Sequence, residues 1–311
     1  MALFLEPVLQ EKMWGGKGLA QYGYDLPNDR IGECWAISGH PHGTNRIVNG
    51  PHKGALLSDV WKKHPALFGH PTTKTFPLLT KILDANDRLS VQVHPDDAYA
   101  QVHEGELGKT ECWYILEAQP GAEIIYGTHA TSHEALCQAI DDKDFDRLLK
   151  HVPVKAGEFY YVPAGTVHGI GEGIMILETQ QSSDTTYRLY DYDRTDQQGQ
   201  LRPLHLEQSK EVIVLEDDTR STVPETFERK GQIWTTFVAN TFFTVHRVEF
   251  QGTSRLNKMH DYMLCSVIEG QGTLNVDGQN YDVAKGTHFI LTAEDRVIDV
   301  QGDMTWMISY T

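Results

Sequence analysis

Basic residues are scarce in this chain, and long apolar runs are missing. Its 311 residues carry 27 Lys and Arg against 43 Asp and Glu, a formal charge of -16. A surface of that sign repels phosphate backbones and anionic bilayers, so neither nucleic acid nor a membrane is an expected partner. An anionic small molecule stays open, because a local group of Lys and Arg in a cleft outweighs charge lying beyond a Debye length of about 8 Å. Nowhere do 18 apolar residues follow one another, and residues 1–16 carry Glu6 and Glu11 where a secretory leader is apolar or basic. The expected location is the cytoplasm. Cysteine is equally sparse: Cys34, Cys112, Cys137 and Cys265 form no CxxC pair, which argues against a zinc ribbon or a disulfide framework and leaves buried reduced thiols. A chain of this length suggests about two domains.

What the sequence does contain centres on residues 157–168, GEFYYVPAGTVH. β-Branched and aromatic residues run into Val-Pro-Ala-Gly, a turn, and then His168 at a fixed distance. The spacing of Gly157, Pro163, Gly165 and His168 is similar to the second motif of the cupin superfamily, in which that histidine is a metal ligand inside a small β-barrel. Upstream, Gln92 and His94 are two apart on a β-type stretch, as are Lys109 and Glu111. Each pair therefore points to one face of its strand. Turned inward, the two faces give a pocket holding an amide oxygen, two imidazoles, a carboxylate and a lysine.

Around this pocket, residues 76–83 and 89–93 read as a β-hairpin turning at 84–87. A helix is expected after Pro95-Asp96-Asp97, stopped by Gly105. A second is expected where Thr131 and Glu134 make a capping-box pattern, followed by a short helix near Phe145 and Leu148, the pair serving as a lid or wall at the barrel mouth. Residues 174–178 read as a buried strand and 204–215 as a helix. His40, His42 and His52 fall in a Gly/Pro/Asn-rich stretch and read as solvated loop histidines. From Gln232 the pattern is strand and turn, with Asp277-Gly278 as a hairpin turn and Glu269-Gly270 and Lys285-Gly286 as barrel-type turns. No Gln/His pair precedes these glycines, so this second barrel is expected to hold no metal.

Taken in order, Trp14-Gly15-Gly16, Gly32-Glu33 with Trp35, Val91 to Pro95, Gly108 to Glu111, the Pro163 to His168 turn, and Glu178 with Asp184 and Arg188 resemble the type I mannose-6-phosphate isomerases in their short bacterial form. The resemblance implies a mainly β fold of two cupin-type jelly-roll barrels with a small inserted helical region. It implies one zinc per chain on Gln92, His94, Glu111 and His168, with other divalent metals also acceptable to such a donor set, and an essential Arg188. Residues 1–215 would form the catalytic barrel, with helical insertions at about 95–108 and 129–150. Residues 216–231 would be a linker, and 232–311 the metal-free barrel.

The implied reaction moves a proton between C2 and C1 of a sugar phosphate through an enediolate, with the metal polarising the carbonyl. Lys109 would act on ring opening or on an oxyanion, and Arg188 on the phosphate or the enediolate. Glu178 and Asp184 are both candidates for the proton shuttle, and Glu178 equally for a partner that orients a ligand imidazole. Ser90 and Lys81 are the candidates for gripping phosphate. A cupin oxygenase using iron and a non-catalytic sugar-phosphate sensor are the competing functions. The state of association stays open, a homodimer being one option.

Overall fold

The computed structural model describes residues 1–195, 199–215 and 222–311. The fold is mainly β and of cupin jelly-roll type, built from three sheets whose backbone pairing does not close them into barrels. The first sheet has six strands in the order Phe159–Val162, Glu111–Ala118, Ile174–Gln181, Leu78–Ala85, Ile31–Ser38, Val8–Gly16. The second has five: Tyr187–Tyr190, Val91–Val93, His168–Ile170, Glu123–Thr128, Leu149–Pro153. The third has ten strands and takes in the chain from residue 225 onward together with Leu3–Glu6 and Arg46–Ile47.

Burial explains which strands alternate in sequence and which do not. Strand Ile174–Gln181 is hydrogen-bonded on both sides and buried along its whole length. Its Ile174 and Ile176 pack with Trp113, Ile115, Ile124 and Ile170 between the first two sheets. Met175 and Leu177 point the other way, against Phe237, Val245, Leu264 and Met307 of the third sheet. Both faces are covered, so the strand reads as a continuous apolar run. Strand Val91–Val93 behaves differently. Val91 and Val93 pack outward with Leu136, Ile140, Phe145 and Leu148, which turns Gln92 to the opposite, inner face.

Several expectations are corrected by the pairing. Residues 76–83 and 89–93 are not a hairpin: Leu78–Ala85 lies in the six-stranded sheet and Val91–Val93 in the five-stranded one. The intervening loop is tied across to other elements, Asp87 N donating to Trp14 O at 3.0 Å and Leu89 N to Ile170 O at 2.8 Å. The helix pair His133–Asp141 and Phe145–Leu148 covers the outer face of the five-stranded sheet, so it is neither lid nor mouth wall. Its cap is Ser132 and not Thr131, the Ser132 hydroxyl accepting from Ala135 N at 3.1 Å. Helix Leu206–Val212 is shorter than 204–215, because its flanks bond elsewhere: His205 N to Arg188 O, and Val214 N to Gly165 O.

In the third sheet one continuous strand, Met263–Val276, runs through the turn expected at Glu269-Gly270. Glu269-Gly270 is not a turn but a bulge, where the register to the last strand shifts and Gly270 takes φ 77°. Asp277-Gly278 is the hairpin turn, both residues left-handed. Trp234, Phe289 and Trp306 fill the core beneath these strands. Of the connector expected at 216–231, residues 216–221 lie outside the described set and Glu225–Arg229 forms the edge strand paired with Gln232–Ala239. All four cysteines are free, with Cys34, Cys112 and Cys265 buried. No helix of the described residues is long and apolar enough to cross a membrane.

The turn before His168 is built on Gly165, at φ 84°. Its N–H donates to His94 O at 2.8 Å and its carbonyl accepts from Val214 N at 2.9 Å. A methyl added there would stand 2.6 Å from Val214 Cγ2 and 2.9 Å from Val212 O, whereas one at Gly157 (φ 90°) would meet nothing within 4 Å. Both substitutions force a left-handed alanine, costing roughly 1–2 kcal/mol each. Urea unfolding should therefore show Gly165→Ala to be the more destabilising of the two by the added crowding; equal losses would contradict this packing.

Candidate active site

Three strands and one turn converge on a single point between the first two sheets. The nearest ligand atoms of His94, Glu111 and His168 all lie within 4.8 Å of one another, and all three residues are buried. His168 Nε2 stands 3.4 Å from Glu111 Oε1, and His94 Nε2 stands 3.4 Å from Glu111 Oε2. Gln92 is the register partner of His168 on one side and of Arg188 on the other, which places it on the strand between the two. Gln92 and His168 thus stand opposite each other on paired strands of the five-stranded sheet, while Glu111 reaches the histidines from the six-stranded one.

The donor set is chemically prepared for an ion. His168 Nδ1 lies 2.8 Å from the Thr166 carbonyl, which fixes that nitrogen as a donor and turns Nε2 toward Glu111. Burial first, and Lys109 second, push the His94 imidazole down to about 3 against the pull of Glu111, so this ring is neutral. Glu111 is held well below the usual carboxylate range: burial opposes ionisation, but Lys109, His94 and His168 overcome it. Among the described residues its Oε2 has the Lys109 ammonium as an ion-pair partner but no hydrogen bond, and the buried His94 Nδ1 has no hydrogen bond either. Two imidazoles, one ionised carboxylate and the amide of Gln92 on the adjoining cavity wall suit a divalent cation of N/O preference.

A cavity of about 310 Å³ opens beside this point, lined by Ser90, Gln92, Lys109, Glu178, Asp184 and Arg188, among others. Lys109 Nζ reaches to 3.0 Å from His94 Nε2 and 3.3 Å from Glu111 Oε2. Trp113 Nε1 donates to both Glu111 Oε1 (3.0 Å) and Glu178 Oε2 (3.2 Å), joining the ligand cluster to the cavity wall. Glu178 is raised to about 7, by burial and then by the Glu111 charge, with Lys81 and Lys109 resisting. Asp184 moves the other way. Its burial is outweighed by Lys81, the His42 bond and Lys109, and His42 Nδ1 stands 3.1 Å from its Oδ2.

Lys81 is buried between two carboxylates, 3.5 Å from Glu178 Oε1 and 3.8 Å from Glu33 Oε2. These partners hold its ammonium charged despite burial. Glu33 also accepts from Trp35 Nε1 at 2.7 Å and faces Lys12 at 3.3 Å.

Four residues of this wall, Lys12, Glu33, Thr186 and Arg202, escaped the sequence reading as site groups. Glu33 shares a strand face with Trp35, a two-residue spacing that was visible. Lys12 and Arg202 sit in stretches whose composition reads as surface, and nothing in their spacing marks them. His40 is also not a solvated loop residue: it is 2% exposed, packed edge-on to Trp35 and 3.5 Å from Glu106. The loop folds back because Asn45 N bonds Ser38 O and His40 N bonds Ser38 Oγ.

Comparison with known proteins places this geometry. Residues 3–115 match the family described as phosphomannose isomerase type I, catalytic domain, and residues 233–311 the family described as mannose-6-phosphate isomerase, cupin domain. The chain is 50% identical over 310 residues to a mannose-6-phosphate isomerase of Streptococcus mutans, covering 99% of this chain and 98% of that one. It is 49% identical over 290 residues to a mannose-6-phosphate isomerase of Bacillus subtilis, covering 93% and 92%. The crystal structure of the mannose 6-phosphate isomerase from Bacillus subtilis superposes with a TM-score of 0.97 at 43% identity, over 100% of this chain and 99% of that one.

Two measurements follow from the charges. Lys81→Met leaves Glu33 and Glu178 buried without their shared cation, so urea unfolding near neutral pH should show a loss of about 3–5 kcal/mol; a loss under about 1 kcal/mol would mean the pair is solvated. For His94 the folded chain binds fewer protons than the unfolded one between pH 6.5 and about 3. Stability of the metal-free protein is then complete above that window and falls as pH drops through it. His94→Gln should flatten this part of the slope, and an unchanged slope would show the ring to be charged in the fold.

Proposed function

This chain belongs to the type I phosphomannose isomerase family and is an aldose–ketose isomerase of mannose 6-phosphate and fructose 6-phosphate; on that premise we propose how its cavity does the work. The family is metal-dependent. Gln92, His94, Glu111 and His168 are the residues we assign to the ion, one per chain, and zinc is the ion this N/O donor set suits best. When bound there, a divalent ion supplies Lewis acidity toward the oxygens at C1 and C2. The observation that carries the assignment is the buried convergence of His94, Glu111 and His168, with Glu111 Oε2 left without a hydrogen bond.

The chain's own groups then divide the remaining tasks. Glu178 is the proton carrier in this reading: a carboxyl poised at about 7 takes the C2 proton of the aldose and returns it at C1. A second proton passes from O2 to O1, so the sugar gains and loses no atoms. Asp184, held below its usual range and engaged by His42, is the weaker base and serves to orient the substrate. Lys109, which stands against the ligand cluster, is the group we assign to donating a proton to the ring oxygen on opening. Arg188 offers its fork to the negative charge of the open-chain substrate. Ser90 lies on the same wall, while Lys81 acts through the carboxylates on either side of it.

We assign residues 1–215 to the catalytic unit, 216–231 to the connector and 232–311 to a second unit without a metal. The substrate class is a sugar phosphate, the expected location is the cytoplasm, and a homodimer is a state compatible with this fold.

Metal analysis with kinetics tests the assignment. His94→Ala and His168→Ala should each lose stoichiometric metal and isomerase activity together. Glu178→Gln should keep the metal while kcat falls by roughly 10²- to 10⁴-fold. Full metal content in either histidine variant would refute the ligand set, and wild-type kcat in Glu178→Gln would remove it as the base.

A further inference from the structure

Most cations lining the cavity are already matched by carboxylates. Lys81 lies between Glu33 and Glu178, Lys12 beside Glu33, and Lys109 against Glu111. Arg188 differs, with no ion pair among the described residues. Its Nη1 donates to the Pro203 carbonyl at 2.8 Å, and its Nε is buried with no hydrogen bond. Arg202 lines the same cavity and is seated on Asp191 through two parallel bonds, Nε to Oδ2 at 2.7 Å and Nη2 to Oδ1 at 2.6 Å. Asp191 is 4% exposed and also accepts from Arg194 Nη2 at 2.7 Å, while Arg194 Nη1 reaches Asp87 Oδ2 at 3.4 Å, so these two arginines are matched by two carboxylates and Arg188 is the one left over.

This end of the cavity therefore carries surplus positive charge in a chain of net charge -16. On the reading that the cavity takes a sugar 6-phosphate, we propose that Arg202 is a second phosphate-recognition residue beside Arg188, and that Asp191 is the positioning residue that aims it. A guanidinium has five N–H donors, and the bond pair to Asp191 uses two, which leaves a planar edge for phosphate oxygens. The two arginines are also one mechanical unit. Pro203, next to Arg202, holds the Arg188 side chain, while His205 N donates to Arg188 O (2.8 Å) and Arg188 N to His205 Nδ1 (3.1 Å). Segment 202–205 is thereby stitched to the strand whose neighbour carries Gln92.

The experiment is steady-state kinetics of mannose 6-phosphate isomerisation by the metal-replete full chain, with inorganic phosphate as competitive inhibitor. Arg202→Gln should raise both KM for the sugar phosphate and Ki for inorganic phosphate roughly 10- to 100-fold, as loss of a charge-assisted contact does, with kcat close to wild type. Arg202→Lys should recover part of both. Asp191→Asn should move both constants the same way by a smaller factor, which a salt bridge serving only the fold would not do. Unchanged KM and Ki in Arg202→Gln, or a fall in kcat alone, overturns the proposal. If Arg202→Gln does not fold, Arg202→Lys decides it, since a lysine that equals arginine in both constants contradicts the planar grip. Should the wild-type chain fail to isomerise the sugar phosphate, the underlying reading is at fault. Calorimetric titration of inorganic phosphate into wild type and Arg202→Lys would then still decide the anion site, with equal or absent binding in both counting against it.

Discussion

Glu33, Glu111 and Glu178 are three carboxylates buried inside one jelly roll, and withdrawing them from water carries a solvation penalty that fixed cations and dipoles must offset. Lys81 and Lys109 supply the cations, and the indoles of Trp35 and Trp113 supply the dipoles. The same balance sets the chemistry. Glu111, facing Lys109 and two imidazoles, is ionised, whereas Glu178 is driven toward neutrality by its burial and then by the Glu111 charge. Two carboxylates bonded to one indole N–H are thus given different proton affinities by their surroundings. The ligand cluster and the proton carrier are therefore coupled parts of one electrostatic arrangement.

That arrangement needs three places in the chain to meet without slack. Strand pairing sets His168 opposite Gln92, and the Gly165 turn is bonded to the His94 carbonyl. Trp113 and Glu178 meet because their strands are neighbours in register. Each functional side chain stands on a strand or on a turn bonded to one, which limits displacement more than a free loop would. The helices, packed on the outer face of the five-stranded sheet, support the ligand strand from behind through Val91 and Val93.

Much of this was legible in the residues, where local spacing carried the information. The two-residue spacings of Gln92 with His94 and of Lys109 with Glu111 put each pair on one strand face, and the turn pattern located His168. The hairpin expected at 76–93 failed because strand signals say nothing about which sheet a strand joins; a jelly roll sends successive strands to opposite sheets. Arg202 and Asp191 were invisible for a related reason, since nothing in a separation of 11 residues says that the two side chains pair. His40 read as solvated from its glycine- and proline-rich surroundings, yet two bonds to Ser38 draw it inward. Glu269-Gly270 looked like a turn because glycine permits positive φ, and a bulge uses the same freedom within a continuous strand.

Strand Leu3–Glu6 is hydrogen-bonded not to its sequence neighbours in the six-stranded sheet but to His288–Leu291, on one side, and Arg46–Ile47 on the other. Leu3–Glu6 thus clasps a strand drawn from a distant part of the chain. The sheet beneath the second jelly roll stays unfinished until these two distant stretches have met, and contacts of such long sequence separation form slowly. Cutting the gene at the connector would strand this segment on the wrong fragment, so the two halves, distinct as they look in sequence, are not interchangeable cassettes.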